Sequence, residues 1–99
     1  MLQVIDRIIG GYMKREQYEN FIIKLKKQFS DNKIVNDFII DAEELAKYGE
    51  VRIALENLLE NLIDKEIAIS QELIRLAEEA FSDNTSDYDR QLVMEIKQF

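Results

Sequence analysis

The chain has 99 residues, 46% of them hydrophobic and 33% charged, with a formal net charge of −7 and no cysteine, histidine or proline. That length and apolar share predict one folded domain over residues 1–99 around a single core, because there is enough apolar surface to offset the entropy of ordering the chain. Disulfides, thiolate zinc sites, cysteine nucleophiles and histidine bases or ligands are excluded by residue type.

Apolar residues recur at helical spacing almost throughout, which predicts an all-α fold: a compact single-domain bundle of five or six short helices. The opening MLQVIDRIIGGYMKREQ carries Asp6 and Arg7 inside its apolar part, unlike a signal peptide, and no run approaches the roughly 18 apolar residues of a membrane span. A cytoplasmic protein without membrane contact is expected. Val4, Ile5, Ile8 and Ile9 predict a short helix interrupted at Gly10-Gly11.

A second helix is expected from about Glu16 to Phe29, with Tyr18, Phe21, Ile22, Leu25 and Phe29 on one face and a stop at Ser30, Asp31 and Asn32. From Lys33 the stripe Ile34, Val35, Phe38, Ile39, Ala42, Leu45, Ala46 predicts a third, ended by Lys47 and by Gly49 as a left-handed cap. The fourth, Glu50 to Asp64, would bury Ile53 or Ala54, then Leu55, Leu58, Leu59, Leu62 and Ile63. After KEIAIS a fifth follows, with Ser70 as N-cap, Glu72 in the first turn, and Leu73, Leu76 or Ala77, Ala80 and Phe81 inward. The polar stretch Ser82 to Asp89 breaks the pattern, and Thr85 or Ser86 would cap a last helix through Leu92, Val93 and Ile96. Short connections predict that sequential helices lie antiparallel.

Most chemical motifs fail on inspection. Asp83, Thr85, Asp87 and Asp89 alternate like half of a calcium loop, but Tyr88 stands where the turn needs Gly and Met94 where a bidentate Glu is needed. Glu56 and Glu60 share a helix face, yet a carboxylate di-metal site also needs Glu-x-x-His, so the pair is read as solvent-facing and no metal is expected. There is no Walker loop, and an enzyme would need a carboxylate, Lys or Tyr base in a special environment. No catalytic residue and no cofactor are assigned. The basic KLKKQF, Lys24 to Phe29, is read as a solvated face rather than a phosphate contact.

Charge is unevenly placed: residues 1–34 carry a net +3 and residues 35–99 a net −10. Such an acidic surface repels nucleic acid and attracts basic protein surfaces. On the fourth helix the side opposite the leucines carries Glu56, Asn57, Glu60, Asn61 and Asp64, groups able to bond an Arg- or Lys-rich partner.

The segment KYGEVRIALENLLENLIDKEIAISQELIRLAEEAF, Lys47 to Phe81, resembles the MafI-type immunity proteins of bacterial polymorphic toxin and contact-dependent inhibition systems. Their pattern, a GE-x-x-x-ALE-x-L-x-x-x-L helix, a short I-x-I-S connection and another helix, is matched by Gly49, Glu50, Ala54, Leu55, Glu56, Leu58, Leu62, Ile67, Ile69 and Ser70. The N-terminal segment and the tail after Phe81 depart from it. The resemblance implies a small helical inhibitor, monomeric when free, that neutralises a cognate basic toxin domain, a nuclease and often an RNase, by plugging its active site or binding beside it. The expected contact comprises Glu56, Asn57, Glu60, Asn61 and Asp64, extended by Tyr48, Glu50 and Glu66. The alternative is a helical adaptor or regulatory subunit that takes a partner helix in an apolar groove.

Overall fold

The computed structural model describes residues 15–81 and 86–99. They form α1 (Arg15–Gln28), α2 (Lys33–Lys47), α3 (Val51–Asp64), α4 (Gln71–Phe81) and α5 (Asp87–Ile96), with no strand among the described residues. The fold is all-α. The helix expected at Val4 to Ile9, the break at Gly10-Gly11, and the loop positions Asp83 and Thr85 lie outside the described residues.

Local side-chain chemistry sets the helix ends. Asn32 caps α2 by accepting a hydrogen bond from the Val35 N–H at 3.0 Å. The Asn36 side chain donates back to the carbonyls of Phe29 (3.1 Å) and Asn32 (2.8 Å), which closes the turn from α1. α2 ends in a Schellman motif: the Gly49 N–H donates to Ala46 O (3.0 Å) and the Glu50 N–H to Leu45 O (3.1 Å), with Gly49 at φ +82°. α3 ends the same way, through Glu66 N–H to Ile63 O and Ile67 N–H to Leu62 O, both 2.9 Å, but its left-handed residue is Glu66 at φ 54°. Ser70 caps α4 through Leu73 N–H (3.2 Å), and of the two candidates for α5 it is Ser86 that accepts from Asp89 N–H (3.1 Å).

Every helix contributes to one apolar core, whose largest fully buried members include Phe21, Leu25, Ile39, Leu55, Leu58, Leu59, Leu62, Leu73 and Phe81. Ala54 rather than Ile53 is the inward residue of its pair, and Leu76 and Ala77 are both buried. Ile34 departs from its expected stripe and is 52% exposed. One residue of helix is about 100° of rotation, which swings it away from the arc of Val35, Ile39, Ala42 and Ala46.

The α2–α3 pair is the most extensive and forms the expected hairpin. Elsewhere the expectation of sequential antiparallel neighbours gives way to a different pairing: α1 packs chiefly on α4 and touches α2 lightly, and α5 packs on α3 and then α4. Exposed polar contacts accompany the α1–α4 packing: Gln28 Nε2 donates to Ser70 Oγ at 3.1 Å and Lys24 lies 3.2 Å from Glu72.

Candidate functional site: the acidic flank of α3 and its seam with α5

The eight residues expected at a partner contact are distributed along the whole of α3 and beyond both its ends. Tyr48, 76% exposed, and Glu50 precede the helix, whereas Asp64 and Glu66 are at its other end. At 1.5 Å per residue a helix of 14 residues is about 21 Å long, so these form an elongated strip rather than a compact cluster. Glu60 and Asp64 are exposed, Asn57 and Asn61 are partly covered, and Ile53 stands out among them at 48% exposure.

Glu56 does not belong to this open strip. Its side chain is 19% exposed, because it lies at the edge of the apolar arc where α5 packs against α3, so the expectation of a solvent-facing Glu56/Glu60 pair holds only for Glu60. Arg52, one turn earlier, has its Nε 3.6 Å from Glu56 Oε2 and donates through Nη2 to Asp89 Oδ2. Its guanidinium carbon lies 5.7 Å from the centroid of the Phe81 ring, within cation–π range. Asp89 is wholly buried, the one charged residue so placed among those described, and its Oδ1 has no hydrogen-bond donor. Burial first, then a hydrogen bond to Asp89 and the charge of that group, push the Glu56 carboxyl up to about 7 against the opposing pull of Arg52, with Glu60 adding a smaller push. Two carboxyls can hydrogen-bond each other only if one of them holds a proton.

Beside this seam α3 and α5 leave a surface groove of about 260 Å³, with Ile63 and Leu92 among its apolar lining and Glu60, Asp64, Glu95, Gln91 and Tyr88 among its polar one. Glu60, Asp64 and Glu95 make no ion pair with any described residue, whereas Lys26 and Lys97, on other faces, are held by Glu43 (2.8 Å) and Glu78 (2.9 Å). The lysines of KLKKQF thus bridge helices at Lys24 and Lys26. A basic side chain entering the groove would meet three carboxylates and an exposed phenol ring.

Arg52, Asp89, Tyr88, Gln91 and Glu95 are absent from the sequence-based site. Arg52–Glu56 was visible as an i,i+4 pair, and Ser86-x-x-Asp89 as a capping-box pattern, but the Asp89 side chain turns to Arg52 on another helix. No periodicity announces that contact.

Among the described residues no helix is long and apolar enough to cross a membrane. Comparisons with protein-family models, curated proteins and solved structures give no match.

Proposed function

We propose that the protein is an immunity-type inhibitor that binds and neutralises a basic toxin domain, a nuclease, and has no catalytic activity of its own. The observation that carries this reading is the α3–α5 groove, where Glu60, Asp64 and Glu95 stand beside exposed Tyr88 without a cation among the described residues. The strip of Asn57, Asn61 and Ile53 continues that surface along α3. The net −10 over residues 35–99 would speed encounter with an electropositive nuclease site. The likeness of Lys47 to Phe81 to MafI-type immunity proteins supports the same partner class.

Co-expression with the C-terminal domain of a secreted protein, should one be encoded immediately upstream, tests the reading, and growth that the domain alone arrests should be restored. Arrest that persists with both proteins soluble rejects it for that pair. Calorimetry then tests the surface: Glu60→Lys with Glu95→Lys should weaken toxin binding by several kcal/mol, because like charges face each other across an interface. Unchanged affinity in the folded double variant places the contact elsewhere.

One observation favours the adaptor reading, a larger groove of about 740 Å³ with Ile69, Ile74, Ile96 and Phe99 among its lining. Salt separates the two, since steered binding of a basic domain slows markedly with added salt and docking of an apolar helix barely changes.

A further inference from the structure

Among the described residues the α3–α5 seam brings two carboxyls, Glu56 and Asp89, to one guanidinium, Arg52. Ionised carboxylates only accept hydrogen bonds. With both ionised, the buried Asp89 Oδ1, which has no hydrogen-bond donor, stays unsatisfied, and two like charges share a largely buried site. A proton on Glu56 relieves both faults, because its O–H can donate to Asp89 and the site then holds one negative charge fewer. The charged groups acting on Glu56 are Asp89 from α5 and Arg52 and Glu60 from α3. α4 supplies the Phe81 ring near Arg52, and no group of α1 or α2 is among those acting on Glu56.

We infer that Glu56, Asp89 and Arg52 form a proton-dependent latch, which holds α5 against α3 while Glu56 is protonated and loosens that helix when Glu56 ionises. α5 is suited to such a part. It is ten residues long, too short to be stable by itself in water, so its order depends on the faces it packs against. It packs mainly on α3, through the seam that holds the cluster. Its release would uncover Leu92, Val93 and Ile96 and pull Glu95 away from Glu60, taking apart the groove described above. The proton favours the closed form, so closure is firmest in acid and weakens as pH rises through about 7, the value to which burial and Asp89 raise Glu56. The latch does not depend on the identity of any partner.

Amide hydrogen exchange on the full chain, corrected for the intrinsic pH dependence of exchange, tests it helix by helix. Between pH 6 and pH 8 the opening constant of α5 amides should rise about tenfold, as linkage requires for a group bound more tightly to its proton in the closed form, while α2 amides change little. In Glu56→Gln, whose amide keeps a donor and has no charge to gain, the α5 response should vanish. Equal responses in wild type and variant, or a flat wild-type response, overturn the latch. A carbon-detected NMR titration of the Glu56 carboxyl in the wild-type protein decides the matter even if the variant fails to fold: a midpoint near neutrality accompanied by shifts of α5 amides supports the latch, and a midpoint at the ordinary carboxylate value overturns it.

Discussion

The two flanks of α3 are held by different physics. On its core side Ala54, Leu55, Leu58 and Leu62 are fully buried and their side chains carry no polar atom, so their contribution comes from apolar area and close packing and is indifferent to pH. On its α5 side Arg52 and Glu56 meet Asp89, and the contribution depends on whether every charge finds a partner. Removal of atoms costs the first flank in proportion to the void left behind, whereas removal of one partner from the second leaves a buried charge stranded. The first flank suits a permanent joint and the second a conditional one.

The largest expected effect breaks the charged flank. Arg52→Met keeps the apolar stem over Phe81 but leaves Asp89 without its guanidinium, and should cost about 3 to 5 kcal/mol in chemical denaturation. Adding Asp89→Leu should recover most of that loss, because the stranded charge disappears with its carboxylate. Failure of the second change to recover stability would mean that the guanidinium acts mainly by packing. On the core flank Leu58→Ala should cost about 2 to 5 kcal/mol, equally at pH 5 and pH 8. An unchanged thermal midpoint would contradict the burial of Leu58.

A smaller effect separates the flanks by titration. Glu56 holds its proton more tightly in the folded protein, near pH 7, than at its ordinary value of 4.5, so the native state binds more protons than the unfolded one between those values. Stability from this group is therefore complete below about pH 4.5 and is lost as pH rises through 7. One pKa unit is about 1.4 kcal/mol. With allowance for the part of the side chain that meets water, the loss from pH 5 to pH 8 should be on the order of 1 to 2 kcal/mol, and Glu56→Gln should abolish it while the Leu58→Ala profile keeps the wild-type slope. Identical slopes in wild type and Glu56→Gln would assign the pH dependence to other groups.

The same contrast explains what was legible in the sequence. Stripes at helical spacing located the buried leucines, and small signals located the ends: Asn32, Gly49, Ser70 and Ser86 each occupy the position their chemistry favours. The open part of the polar strip, with Glu60 and Asp64, was legible for the same reason, since a face is a local property. Glu56 was misplaced because it stands at the margin of the apolar arc, where orientation depends on whether a neighbour covers it. Asp89 sits 37 residues from Arg52 in a stretch whose composition reads as loop, and spacing within one helix says nothing of which helices meet. The α1–α4 pairing was hidden for the same reason.

The smallest expected effect concerns how α3 is entered and left. Gly49 before it and Glu66 after it occupy equivalent left-handed positions of two Schellman turns, at φ +82° and +54°. A residue with a Cβ loses about 1 to 2 kcal/mol in that conformation, and a glycine returns about 0.5 to 1 kcal/mol of this through its looser unfolded chain. Glu66→Gly should therefore stabilise the protein by about 0.5 to 1 kcal/mol, and Gly49→Ala should destabilise it by a similar amount. Beyond its two chain neighbours no residue comes within 4 Å of the position a Cβ would take at Gly49, so that cost is one of backbone conformation alone. Glu66 also lies at the end of the strip expected to meet the proposed partner, which gives its substitution a second readout. A gain in thermal midpoint with weakened toxin binding would mean that Glu66 is kept for its carboxylate at the expense of the turn. A gain with unchanged binding would end the strip at Asp64, and no gain at all would show that the turn is relaxed at Glu66 in solution.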